Sequence, residues 1–153
     1  ELMTRIEDII WSLKPHTLDK TTFKNRLQDY ALELLSGKDM GYTIEVDQEV
    51  NDLVKDPFLR KNILLIIKEA INNSAKYSQA SLVEIEVRSA PTHLKITIKD
   101  NGTGFDSTSP ITGNGLGNMK KRCEDIGGAF VLQSTPGQGT RIEVNIPMAN
   151  IRH

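Results

Sequence analysis

Between Leu82 and Asp100 the chain alternates with a period of two, is broken once, and then alternates again. Val83, Ile85 and Val87 alternate with Glu84 and Glu86, Ala90-Pro91-Thr92 interrupts, and Leu94, Ile96 and Ile98 alternate with Lys95 and Thr97. Successive side chains of a strand point to opposite faces, so each run gathers its apolar residues on one side. The proline turn between them predicts two adjacent antiparallel strands, each half-buried.

The rest of the chain supplies what that hairpin packs against. Leu2, Ile6, Ile9 and Leu13 recur at helical spacing until Pro15, which predicts an amphipathic helix up to about Ser12 with Trp11 packed on it. Phe23, Leu27, Tyr30, Ala31 and Leu34 mark a second helix ending near Gly37, and Tyr42, Ile44 and Val46 mark a half-buried strand. Asp56-Pro57 provides an N-cap acid and a proline at the first helical position, ahead of a long helical run from Phe58 through Lys76. Leu116, Met119, Cys123 and Ile126 predict another helix closed by Gly127-Gly128, followed by strands at 130–133 and 140–146 around the turn Pro136-Gly137-Gln138-Gly139. In this order helices occupy one side of a mostly antiparallel sheet, so the expected class is α+β, a two-layer sandwich rather than a doubly wound parallel sheet.

With 153 residues, 38% of them hydrophobic and 25% charged, the chain has the composition of one globular domain with a short N-terminal appendage. A formal net charge of −1 and scattered Lys and Arg residues argue against nucleic acid as a partner. A single cysteine, Cys123, falls on the apolar stripe of its helix and reads as a packed thiol of a reducing compartment. No stretch approaches the roughly 20 apolar residues that span a bilayer, and the start lacks the regions of a signal peptide. The opening Glu1-Leu2-Met3 falls inside a helical pattern, as in an excised fragment, which leaves room for a parent anchored in the inner membrane.

Chemistry concentrates where the second strand of the hairpin ends. Asp100-Asn101-Gly102-Thr103-Gly104 places a carboxylate directly before a glycine turn, and Gly113-Asn114-Gly115-Leu116-Gly117 follows. Glycines allow backbone to approach a flat base or a polyphosphate, and helix N-termini attract phosphate. Upstream, Glu69 and Asn73 lie four residues apart on the long helix and project from one face. Such a pair suits magnesium, which keeps several waters and needs one or two protein oxygens. Lys76 is placed to reach phosphates, or to remain a solvated lysine at a helix end. Lys120, Lys121 and Arg122 read mainly as solvated charges.

Taken together, Glu69 with Asn73, Asp100-x-Gly102-x-Gly104, Gly113-x-Gly115-x-Gly117 and Gly137-x-Gly139-Thr140 resemble the N box and the three glycine boxes of the GHKL (Bergerat) ATP-binding fold. The chain is similar, from about residue 40 to Pro147, to the catalytic domain of a bacterial sensor histidine kinase of the nitrate-sensor and membrane-fluidity-sensor branch. Ile10-Trp11-Ser12-Leu13-Lys14-Pro15 resembles the end of that branch's dimerisation helix, dividing the chain into a helix end and linker over 1–15 and a catalytic domain over 16–153.

The resemblance implies that Asp100 accepts a hydrogen bond from the adenine amine. Guanine presents a carbonyl there, so the carboxylate would select ATP over GTP. An isolated Asp-x-Gly reads better as an acid capping a turn, but the ordered boxes reverse that reading. The resemblance further implies Asn73 as the Mg2+ ligand and Glu69 as the catalytic residue that orients a metal water or accepts the incoming histidine's proton. Gly102 and Gly104 would pass against the base, and Thr140 would hold a water or the ring from the far side. Gly113, Gly115, Leu116 and Gly117 would form a lid on the phosphates. Tyr77 stands where the family often carries histidine.

The implied cofactors are ATP and Mg2+, and the implied function is transfer of the γ-phosphate to a histidine on a dimerisation helix. The partners are that phosphoacceptor helix of a homodimeric parent and a response regulator, in the cytoplasm. His16 after the proline, His93 in the hairpin turn and His153 at the end of the chain stand outside any acidic helical context and read as ordinary surface histidines, so the acceptor is expected outside this fragment. The alternatives are a GHKL serine kinase or anti-sigma factor, a topoisomerase- or chaperone-like ATPase in which Glu69 activates water, and a silent nucleotide-binding interaction module.

Overall fold

The computed structural model describes residues 22–104 and 115–151. The expected helix at Leu2 to Leu13, Trp11, the Leu13-Lys14-Pro15 entry, His16, Gly113 and His153 lie outside the described residues, as does the boundary between 15 and 16.

The chain order is α1 (Phe23–Leu35), β1 (Gly41–Val46), α2 (Val50–Leu53), α3 (Pro57–Asn73), a π-helical turn (Ser74–Ser78), β2 (Leu82–Ser89), β3 (His93–Asp100), α4 (Gly115–Asp125), β4 (Ala129–Ser134), β5 (Thr140–Pro147) and a 3-10 turn (Met148–Asn150). The strands form one sheet in the order β1-β2-β3-β5-β4. β1 and β2 are parallel, joined through α2 and α3, and the other three pairs are antiparallel. This is the α+β arrangement with a mixed, mostly antiparallel sheet that the patterning calls for.

Register explains why the sheet has one dry face. Ile44 pairs with Ile85, Ile85 with Ile98, Ile98 with Ile142 and Ile142 with Leu132, so one row of five apolar side chains crosses all five strands. Val83, Ile85, Val87, Leu94, Ile96, Ile98, Val144 and Ile146 are all buried on that side. The opposite face carries Glu84, Glu86, Arg88, Lys95, Lys99, Arg141 and Glu143. A slip of one residue would turn every buried side chain to water, so the pattern pins the pairing.

The helices cover the dry face, and α3 is their centre. Its N-cap is Asp56, whose carboxylate accepts from Leu59 N at 2.9 Å, with Pro57 starting the first turn. Such a cap contributes about 1 kcal/mol. Ile63, Ile66, Ile67 and Ile71 are fully buried, each stabilising by roughly 2–3 kcal/mol. α1 packs along α3 and β1, and α4 along α3 and β4. The α1 cap is Thr22, accepting from Asn25 N at 3.1 Å, while Asn51 Oδ1 accepts from Phe23 N at 2.9 Å.

One local expectation is extended and two are corrected. Leu35 extends the buried stripe of α1, because Phe23, Leu27, Ala31 and Leu35 keep a strict four-residue spacing, and Leu34 packs against the core partly buried. The α-helical part of the long run stops at Asn73, and the chain widens into the π-turn before reaching Lys76. His93 opens β3 instead of sitting in the hairpin turn, its Nδ1 2.9 Å from Thr92 Oγ1. Cys123 is fully buried and free, and burial pushes its thiol up to about 11, so it packs and does not react at neutral pH. Among the described residues no helix is long and apolar enough to cross a membrane.

Candidate nucleotide site

The apolar row of the sheet turns polar at one end. Asp100, the last residue of β3, pairs in register with Val83 on one side and Thr140 on the other, and Thr140 pairs with Ser134. Side chains of one row share a face, so Asp100, Thr140 and Ser134 continue the buried side of the sheet as polar groups. Asp100 is 5% exposed and Ser134 is buried.

A buried carboxylate is costly unless hydrogen bonds satisfy it. Asp100 has two donors from different parts of the chain. Ser74 Oγ donates to Oδ2 at 2.8 Å, and Gly102 N donates to Oδ1 at 3.0 Å. Among the described residues no cation forms an ion pair with it. A carboxylate has about four lone-pair positions, so these two donors leave room for another.

Backbone packing shapes the surroundings. Gly139 and Gly104 have φ of 83° and 65°. A Cβ on Gly139 would collide with the Asp100 carbonyl oxygen, and one on Gly104 with the Thr135 carbonyl oxygen. Glycine is needed at both for conformation and for space. Gly137 N donates to Thr103 O, stitching the β4–β5 turn to the loop after β3. On the other side, Asn101 Oδ1 accepts from Ser81 N at 2.9 Å and Leu82 N at 3.0 Å, and its Nδ2 donates to Ser81 Oγ. Thr140 Oγ1 lies 2.8 Å from Ser134 Oγ, which also donates to Gly139 O at 3.2 Å.

Ser74 ties the end of α3 to the end of β3, which brings its neighbour Asn73, and Glu69 one turn earlier, to the Asp100 end of the domain. Glu69 and Asn73 are both partly exposed, and Lys76 is exposed in the π-turn. Gly115 and Gly117 open α4, with open space around Gly117, whereas Leu116 packs against the hydrophobic core. Lys120 and Lys121 are exposed, and Arg122 approaches Asn62 Oδ1 at 3.5 Å. Among the described residues no group of three or more His, Cys, Asp or Glu side chains could hold a metal ion.

A pocket of about 170 Å³ lies at the ends of β3, β4 and β5, lined by Lys99, Asp100, Gln133, Gly139 and Arg141 among others. Lys99, Gln133 and Arg141 form a row on the polar face, and none of Glu69, Asn73 or Lys76 lines it. The lining also takes in Ser134 and Thr140, the polar groups of the Asp100 row.

Ser74, Asn101 and Ser134 escaped the reading of the sequence. Ser74 did carry a signal: it continues the buried stripe Ile63, Ile67, Ile71 as its one hydroxyl, and a polar residue on a dry helical face needs a partner.

The family model for histidine kinase-, DNA gyrase B- and HSP90-like ATPases matches residues 59–150. The chain is 28% identical over 149 residues to the sensor histidine kinase LiaS of Bacillus subtilis, covering 97% of this chain and 40% of that protein. It is 29% identical over 141 residues to the sensor protein VraS of Staphylococcus aureus, covering 92% of this chain and 40% of that protein. The chain thus spans about two fifths of these relatives. Among solved structures, the blue-light activated histidine kinase of Erythrobacter litoralis superposes with a TM-score of 0.74 at 16% identity, covering 95% of this chain and 48% of that one. The catalytic domain of histidine kinase ThkA superposes at 0.65 and 17% identity, covering 83% and 94%. A sheet closed on one face, a buried acid at a strand end and glycine turns packed against it therefore have a known home: the chain belongs to the histidine kinase-, DNA gyrase B- and HSP90-like ATPase family, as an ATP-binding catalytic domain of the sensor histidine kinase kind.

Proposed function

We propose that this domain holds ATP with its adenine amine on Asp100 and its phosphates toward Asn73, and passes the γ-phosphate to a histidine on a dimerisation helix. The phosphoryl group then moves to an aspartate of a response regulator. The observation that carries the reading is the Asp100 carboxylate, buried, held by a hydroxyl and an amide, and free of an ion-pair partner among the described residues. Gly102 and Gly104 flank the base, and Thr140 lies across from Asp100. Lys76 and the backbone of Gly113, Gly115 and Gly117 serve the phosphates, with Leu116 anchoring the start of α4 to the core.

The donor chemistry fits magnesium. Glu69 and Asn73 offer oxygen atoms one turn apart at the same end as Asp100, and a metal delivered on a triphosphate needs no three-acid cage. When bound, Mg2+ neutralises phosphate charge. Asn73 would hold it, and Glu69 would orient a water or take the proton of the incoming imidazole. Transfer in this design is positioning and charge compensation, so the domain needs an acceptor helix presented to it. We infer a homodimeric parent with this domain in the cytoplasm, residues 1–15 ending the dimerisation helix, and an inner-membrane anchor elsewhere in the parent.

The test pairs the domain with a separately expressed acceptor-helix fragment and labelled ATP. Acid-labile, base-stable label on the helix supports the kinase reading, and absence of transfer by a domain that binds ATP overturns it in favour of a silent binding module. Asn73→Ala should leave adenosine binding intact and abolish the magnesium-dependent gain for ATP. Equal loss for both ligands contradicts the metal assignment.

A further inference from the structure

We propose that Ser74 is a positioning residue for base selection: its hydroxyl fixes the plane of the Asp100 carboxylate so that the remaining lone pairs meet the 6-amino group of a purine. This rests on the reading of Asp100 as the base-recognition group.

The terminal torsion of an aspartate is broad, so a carboxylate at a strand end is not aimed by its own rotamer. Here each oxygen is held by a different element. Oδ1 accepts from Gly102 N in the loop that continues β3, and Oδ2 accepts from Ser74 Oγ at the end of α3. Two anchors on two oxygens define a plane; removing either frees the group to turn about the other. Ser74 is 6% exposed and Asp100 5%, so the bond forms away from bulk water.

The type of partner matters as much as its position. A guanidinium or ammonium would aim the carboxylate equally well but cancel the charge that attracts an amine. A hydroxyl aims without neutralising. Ser74 also sits where the helix widens, its backbone N donating to both Ala70 O and Ile71 O before the π-turn. π-turns often mark functional sites, and this one begins at the residue that grips the acid.

The experiment is calorimetric titration of this chain with ADP and with inosine diphosphate, which carries a carbonyl in place of the 6-amino group. Ser74→Ala should weaken ADP by about tenfold, the effect of losing a hydrogen bond to a charged group, and leave inosine diphosphate unchanged. Ser74→Thr, which keeps the donor, should retain the wild-type preference. In an Asp100→Asn background, Ser74→Ala should add nothing. Should Ser74→Ala fail to fold, Ser74→Cys reads the same ratio with a weaker donor. Equal weakening of both nucleotides, or an unchanged ratio while Asp100→Asn abolishes the preference, overturns the role of Ser74. A ratio unchanged by Asp100→Asn as well overturns the reading of Asp100 itself.

Discussion

The two ends of this sheet hold carboxylates in opposite ways. At the end where β3 finishes, Asp100 is buried and bound by a serine hydroxyl and a glycine amide. At the other end, Asp47 follows β1, accepts from Ser89 N at 2.8 Å and from Arg88 at 3.1 Å, and shares that guanidinium with Glu45 and Glu86. The second cluster is open to water, with the Arg88 side chain 43% exposed. There a guanidinium sits among the acids, a cation that no described residue supplies to Asp100. The first is buried with no ion-pair partner among the described residues, an arrangement that stability alone does not explain.

The sharpest way to break this contrast is through the backbone that builds the Asp100 end. Gly139→Ala meets both a positive φ and a collision with the Asp100 carbonyl, so it should cost about 3 kcal/mol of stability and abolish nucleotide binding. Gly137→Ala, also at positive φ but in open space, should cost about 1 kcal/mol. Denaturant titration and calorimetry check both, and equal costs would show that close packing is irrelevant there. Next in size, Asp100→Asn should weaken ADP by about 2 kcal/mol, some thirtyfold, while Asp47→Asn leaves ADP affinity unchanged. A loss from Asp47→Asn would erase the distinction between the two ends.

Asn101→Ala should cost about 1 kcal/mol of stability, since its amide serves two backbone donors and a hydroxyl near the start of β2. The smallest effect belongs to the water-exposed cluster. Ser89 N–H foremost holds the Asp47 carboxyl below its usual range; burial, next in size, pushes the other way, and Arg88 adds to the lowering. A lowered folded-state pKa gives stability that is present above the unfolded value near 4 and is lost as pH falls through the folded value. Asp47→Asn should therefore narrow the gap in melting temperature between neutral and acid pH by about 2 °C. Scanning calorimetry across pH measures it.

What could be read in advance divides along physical lines. The hairpin, the Asp56-Pro57 start and the inward faces of β1 to β5 follow from period and capping, which are local. Asp100 was visible because an acid before two glycines is a local signal as well. The parallel pairing of β1 with β2 and the grip of Ser74 on Asp100 were not, since each joins residues far apart in the chain and depends on how α3 lies across the sheet. Leu35 lies deeper than Leu34 because two neighbouring leucines fit a helical stripe nearly equally and packing decides how far each is buried. The short α2 lacks the length for periodicity to register.

The crossover that carries the chain from β1 through α3 to β2 has a consequence for folding order. Ser74, Asp100 and Thr140 come from three distant segments, so loop closure must bring all of them together before any recognition surface exists. No early fragment can own the pocket, and a bound nucleotide would act as a clamp on the finished topology, raising the midpoint of thermal unfolding with the logarithm of its concentration.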